Sequence, residues 1–229
     1  MEGDLKLMDI KEVMAARHSV RQYKSEDISD EERIILDEYV RKLNEESGLH
    51  IQIIYNETEC FMSRMAKYGK FEGVENYICM VGKKDDKDLE EKCGYYGELL
   101  VLKAQEMGLN TCWVGLTHGT TRSEVEKDEK EVIVISLGYG KTQGVPHKSK
   151  SLYKLSNLTD YSPEWFEEGM KAVELAPTAI NQQKFFFECL DNNRVSARAV
   201  GFGAYTKVDL GIAKAHFELG AGKENFTWA

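Results

Sequence analysis

Arg17, Ser19 and Arg21 fall at alternate positions in the stretch Arg17-His18-Ser19-Val20-Arg21-Gln22-Tyr23. In an extended segment alternate residues point to one side, whereas helix periodicity scatters them around the axis. As an extended segment, the stretch sets two permanently charged guanidinium forks and a hydroxyl on one face, an arrangement suited to a dianionic phosphate. As a loop it is only a solvated basic segment, and for a generic R-x-S-x-R the loop reading prevails. The phosphate reading becomes specific beside a second stretch far downstream, Ala176-Pro177-Thr178-Ala179-Ile180-Asn181-Gln182-Gln183.

Together the two stretches resemble the FMN-dependent nitroreductase family. That family opens with an R-x-S-x-R-x-[FY] segment that binds the flavin phosphate, and carries an A-P-S-x-x-N-x-Q-P-W-like turn at the flavin ring and ribityl chain. Arg17, Ser19 and Arg21 match the first. Pro177, Thr178, Asn181 and Gln183 match the second, with Lys184 and Phe185 where the family usually has Pro and Trp. Leu109-Asn110-Thr111-Cys112-Trp113-Val114-Gly115 is similar to the family's G-L-x-x-[CS]-W-I-G passage. Leu137-Gly138-Tyr139-Gly140 is similar to its strand-ending L-G-[YF]-P, with Gly140 in place of Pro. The resemblance implies an α+β, nitroreductase-like fold: a central, mainly antiparallel sheet flanked by helices.

Composition narrows the partners. A formal net charge of −9 argues against general nucleic-acid binding, which needs an excess of Lys and Arg. Hydrophobic residues make up 42%, enough for a sizeable core. No apolar run reaches membrane-spanning length, and the acidic start shows no signal pattern. The five cysteines are scattered without a C-x-x-C, which fits a reduced cytoplasmic setting, and they do not cluster with the histidines at metal-ligand spacings.

Along the chain, residues 8–16 are a short helix candidate. Ser29 and Glu32 have capping-box spacing ahead of the stripe Leu36, Tyr39, Val40, Leu43, and Ser47-Gly48 stops that helix. Residues 49–55 alternate toward a strand. Residues 60–73 are rich in Met and aromatics and read as a core-packing helix; as a flavin-covering segment instead, they would bring Lys67 or Lys70 to the pyrimidine edge. Residues 77–81 read as a strand. Residues 85–107 read as a long helix closed by Gly108, and its Gly94 and Gly97 each cost about 1 kcal/mol against Ala, so a close helix approach is expected there. Residues 130–138 read as a buried strand. Ser162 and Pro163 look like N-cap and first position of a helix that stops before Pro177. Residues 184–190 form a strand, Asp191-Asn192-Asn193 a turn, residues 208–219 a helix and residues 225–228 a last strand.

The two halves rhyme. Helix, Gly108 and Trp113 in the first parallel helix, Gly220 and Trp228 in the second, and each half also pairs an earlier helix with a strand. Members of the family carry both flavin motifs in one subunit, at sites shared across a dimer. Here the first half, 1–150, has the arginine segment without the Pro-Ser turn, and the second, 151–229, has the turn without the arginine segment. The chain therefore resembles the branch of small nitroreductases with a swapped arrangement, and reads as a fused, trimmed pseudo-dimer: one compact unit, monomeric or a weak homodimer, with one FMN per chain.

What the resemblance implies for the site follows. Arg17, Ser19 and Arg21 hold the phosphate, with Lys148 or Lys150 from the basic connector adding charge. His18 stands in the motif, turned away rather than catalytic. Pro177, Thr178, Ala179 and Asn181 lie against ring and ribityl chain, with Gln183 bracing the turn. The backbone of Trp113, Val114 and Gly115 faces the ring, while the Trp113 side chain reads as a core aromatic. The implied activity is ping-pong: NAD(P)H reduces FMN, and an electron-poor acceptor such as a nitroaromatic or quinone is then reduced, with no catalytic side chain and no metal. Two alternatives stay open, a flavin-binding sensor or store with little turnover, and a member repurposed for another flavin reaction such as dehalogenation.

Overall fold

The computed structural model describes residues 9–229, so Met8, where the first helix was expected to begin, lies outside the described residues. Ile10–Ala16 forms α1, capped by the Asp9 side chain. Asp30–Ser47 forms α2, and the expected capping box is present: the Glu32 amide donates to Ser29 Oγ (3.3 Å), and the Ser29 amide donates to Glu32 (2.9 Å). Gln52–Ile54 is β1, Arg64–Tyr68 the short α3, Asn76–Lys83 β2, Leu89–Glu106 α4, Asn110–Val114 β3 and Glu129–Gly138 β4. Leu152–Leu155 is α5, Glu164–Val173 α6, Phe185–Leu190 β5, Arg194–Ala199 β6, Thr206–Ala221 α7 and Thr227–Trp228 β7.

The strands divide into two sheets. One is fully antiparallel in the order β1-β2-β4-β3, and the other joins β5 and β6 antiparallel with β7 parallel to β6. The Arg17–Tyr23 stretch is extended, as its alternation requires, and runs along β3: Ser19 bridges Thr111, and the Val20 amide donates to the Thr111 carbonyl. Val20 and Tyr23 are buried beneath it, and the Tyr23 hydroxyl donates to the Val20 carbonyl at 2.7 Å.

Three local readings change. Residues 60–73 are not one core-packing helix but a 3₁₀ turn, Glu59–Met62, followed by α3; Met62, Met65 and Tyr68 are exposed, and only Cys60, Phe61, Ala66 and Phe71 are buried. Ser162 does not cap α6: Pro163 stands at the cap, and Ser162 Oγ accepts from the Thr159 amide instead. The Asp191-Asn192-Asn193 turn leads into a strand, β6, that the polar alternation of Arg194 to Arg198 had not announced. Asn192 and Asn193 both have positive φ, 60° and 53°, the backbone of a tight hairpin.

At the centre α4 crosses α7. A Cβ on Gly94 would collide with the carbonyl oxygen of Val208, three residues before Gly211; a Cβ on Gly211 would collide with the carbonyl oxygen of Glu91, three residues before Gly94. The contact is reciprocal in the manner of a two-fold interface. Gly97 serves another purpose, since its Cβ would stand 2.5 Å from the Trp113 indole. The main core is continuous across this crossing and gathers Leu36, Leu100, Met170, Phe187 and Phe217 from both halves. Among the described residues no helix is long and apolar enough to cross a membrane.

Because the collisions at Gly94 and Gly211 are with backbone, Gly94→Ala or Gly211→Ala is expected to destabilise the protein by about 3 kcal/mol, although Ala is the better helix former. The double variant should cost less than the sum, since the first methyl already parts the helices. Urea denaturation of the three variants checks both points; wild-type stability in Gly94→Ala would refute the close-packing account.

Candidate functional site

The extended arginine segment and the late Pro-Thr-Ala-Ile-Asn turn meet in one cleft with three connected lobes, of about 320, 100 and 640 Å³. The first lobe takes Arg17, His18, Ser19 and Arg21 from the early segment, Pro177, Thr178 and Asn181 from the turn, and His147 from the connector, with no carboxylate on its walls. In a chain of net charge −9 such a wall is chemically suited to an anion. The inner lobe lies between Ser19, Arg21, Trp113 and Gly115 on one side and Pro177, Thr178 and Ala179 on the other. The outer lobe opens past Val114, Gly115 and Ala179 toward Tyr68, Lys70 and Phe71. Arg21 and Ile180 reach all three.

Arg17 is held differently from Arg21. It is only 3% exposed, its Nε stands 3.6 Å from the fully buried Glu98 carboxylate, and its Nη2 donates to the Leu175 carbonyl at 3.5 Å. Arg17 Nε is a buried nitrogen without a hydrogen-bond partner. Glu98, on α4, also accepts from Trp113 Nε1 (2.9 Å) and faces His216 Nε2 of α7 (2.9 Å), while His216 Nδ1 donates to the Ala172 carbonyl. One buried carboxylate thus orients both Arg17 and the Trp113 indole. Arg21 is exposed, with its guanidinium 6.0 Å from the Phe71 ring.

The turn is braced from both sides. The Ala179 amide donates to Asp209 Oδ1 (2.9 Å) and Gln182 Nε2 to Asp209 Oδ2 (2.7 Å), tying the turn to the start of α7. The Gln183 amide donates to Thr178 Oγ1, and Gln183 Nε2 donates to the Lys148 carbonyl and to Asn181 Oδ1. This network holds Ile180, Asn181 and Gln183 at positive φ (46°, 56° and 45°), a conformation costly for a β-branched residue above all. Burial raises the Asp209 carboxyl to about 6, against the pull of its two donors.

The expected lysines stand elsewhere. Neither Lys148 nor Lys150 lines a lobe: Lys150 Nζ donates to the Gln182 and Gln183 carbonyls, and Lys148 contributes its own carbonyl to Asn181 and Gln183. The backbone passage Trp113 to Gly115 does line the inner and outer lobes, and the Gly115 carbonyl accepts from the Tyr205 hydroxyl at 2.7 Å. Sequence reasoning missed Glu98, His147, Tyr205 and Asp209. Glu98 had a signal, a carboxylate four residues after Gly94 on the stripe that meets α7. Asp209 looked like an acid placed for the helix dipole, and His147 and Tyr205 gave no signal.

An α+β fold of this topology, with an arginine-lined cleft closed by a late Pro-Thr turn, defines a nitroreductase-like protein. The family described as "Putative TM nitroreductase" matches residues 9–221, and the chain belongs to that family. A crystal structure titled as a putative nitroreductase from Thermotoga maritima is similar in fold, with TM-score 0.69 and 20% identity over 98% of this chain and 88% of that one. Part of the chain also aligns with an FMN-dependent nitroreductase from Clostridium difficile, with TM-score 0.43 and 15% identity over 67% of this chain and 94% of that one. No curated protein matches the chain.

Removing Glu98 leaves a nearly inaccessible guanidinium without its counter-charge. Glu98→Ala is expected to cost about 3–5 kcal/mol, read by chemical denaturation; a loss under about 1 kcal/mol would mean the pair is not buried as described. For Asp209 the folded state holds a proton more tightly than the unfolded chain, so its ionisation makes stability fall as pH rises from about 4 to about 6, and the full penalty stands at higher pH. Asp209→Asn is expected to remove a pH-dependent component of about 2–3 kcal/mol in denaturation curves taken across that range. Parallel curves for variant and wild type would dismiss it.

Proposed function

We propose that this protein is an FMN-dependent oxidoreductase that passes reducing equivalents from NAD(P)H to a nitroaromatic, a quinone or a similar electron-poor acceptor. The observation that carries the reading is the convergence of the early arginine segment and the late Pro-Thr-Ala-Ile-Asn turn on one cleft. The residues fit the cofactor. Arg17, oriented from behind by Glu98, the Ser19 hydroxyl and the Arg21 fork would take the phosphate. The narrow inner lobe between the Trp113–Gly115 backbone and Pro177–Ala179 would take the ring system. Bound FMN supplies the two-electron chemistry, in a ping-pong sequence, and the protein supplies grip, orientation and electrostatics.

Glu98 balances the charge of Arg17 and orients it, Asp209 keeps the turn seated, and Tyr205 fixes the Gly115 backbone. None of these acts on a substrate, and no side chain is assigned as a catalytic acid or base. The outer lobe favours turnover over flavin storage, because about 640 Å³ lined by Tyr68, Phe71, Leu116 and Tyr205 is room for a second, flat apolar ligand. In this reading residues 1–150 supply the phosphate grip and residues 151–229 the turn, as the two halves of a fused pseudo-dimer, so one chain completes one site.

The purified protein is expected to be yellow, to release FMN at close to one per chain, and to bind it as a monomer. NAD(P)H oxidation should depend on menadione or a nitrofuran. Arg21→Ala, chosen because this arginine is exposed and carries no fold-stabilising pair, is expected to weaken FMN binding by about 1.5–3 kcal/mol with an unchanged melting curve. A ratio of two flavins per chain, or binding only by a dimer, would falsify the single shared site, and unaltered affinity in Arg21→Ala would remove the arginine from it.

A further inference from the structure

We propose that the arginine- and histidine-lined lobe is a proton-linked site for a phosphate monoester dianion, in which His147, with His18 beside it, takes up a proton as the dianion binds. The proposal deepens the flavin reading and rests on it for the ligand's identity, though the lobe's own chemistry sets the ligand's class.

The lobe brings Arg17, Arg21, His18 and His147 together without a carboxylate on its wall. His147 is fixed in orientation: its Nε2 lies 3.0 Å from the Glu174 carbonyl, which can only accept, so Nε2 carries a hydrogen. Ser149 Oγ donates to the same carbonyl at 2.7 Å and holds the arrangement in place. Nδ1 is therefore the nitrogen whose protonation is open, and protonating it adds a charged donor to a ring already held in position. The connector thus contributes an imidazole to the lobe, where the sequence had pointed to ammonium groups.

The charged and titratable groups facing His147 come from several elements. Arg17 and His18 lie on the early segment, His216 on α7 and Glu174 at the end of α6. Burial above all, and then the charges of Arg17, His18 and His216, hold His147 below the usual histidine range, against the pull of the Glu174 carbonyl. Glu174 holds His147 through its backbone carbonyl, and its carboxyl, raised by burial, is the one acid among these groups. His18 is lowered for the same reasons, burial and the neighbouring Arg17. A phosphate monoester carrying about −1.5 to −2 charges would reverse the sign of the local field. Both imidazoles would then hold protons more tightly in the complex than in the free protein, and affinity must fall as pH rises. The phosphate's own second ionisation, near pH 6, opposes this only toward acid, so the window is about pH 6.5 to 8.5.

The test is calorimetric titration of flavin-free protein with FMN and with riboflavin, which lacks the phosphate, in pairs of buffers differing in ionisation heat. FMN binding is expected to take up protons and to weaken about tenfold across the window, while riboflavin binding stays flat. His147→Gln should lose most of the uptake and the slope, bind FMN about tenfold more weakly at the acid end, and keep wild-type riboflavin affinity and melting behaviour. His18→Gln should lose a smaller share. A pH-independent FMN affinity, or full proton uptake in His147→Gln, overturns the proposal while leaving the flavin reading standing. If neither flavin binds, the flavin reading fails instead. Phenyl phosphate in the same buffers then decides this one, with proton uptake supporting the site and its absence refuting it.

Discussion

Two helix backbones touch where α4 crosses α7, and neither Gly94 nor Gly211 leaves room for a methyl group. Everything at the cleft is referred to this contact. α4 carries Glu98, which orients Arg17 and Trp113; α7 carries, in its first turn, Asp209, which seats the late turn. His216 joins the two helices by facing Glu98 from α7. Were the helices further apart, the arginine segment and the turn would belong to separate surfaces. The cost of glycine in a helix interior is thus offset by the closeness it allows between two elements that each hold half of a site.

Each helix places one buried carboxylate in this arrangement, and the two do different work. Glu98 is a counter-charge: a guanidinium as inaccessible as Arg17 is tolerable only beside an anion, and the pair fixes the direction of the fork. Asp209 is an acceptor for the turn. Its neighbours are an amide and a carboxamide rather than a cation, so burial dominates and raises its carboxyl. Glu98 stands behind the first lobe, whose wall stays free of carboxylates in a strongly acidic protein, whereas Asp209 lines the inner lobe beside the turn it seats.

The turn shows how a strained backbone is kept. Ile180, Asn181 and Gln183 adopt positive φ without glycine, because Thr178, Lys148, Lys150 and Asp209 fix the chain on either side of them. Ile180 is 97% exposed, yet it borders all three lobes. Such over-determined strain is found where a backbone must present a set surface to a ligand.

Local chemistry made much of this legible in the sequence. The period-two spacing of Arg17, Ser19 and Arg21, the Ser29–Glu32 capping box, the β-branched run of β4 and the Pro177 turn are each written in a few neighbouring residues. So is the family, through the residue types of its two flavin motifs. The tertiary structure decided what depends on distant partners. It put Arg17 against Glu98 and Lys150 onto turn carbonyls, brought His147 to the arginine-lined lobe, and divided residues 60–73 between a buried cluster and the wall of the outer lobe. A side chain's charge and reach are fixed by its identity, but the group it meets is fixed by which backbones approach, and that approach was set by two glycines 117 positions apart in the sequence.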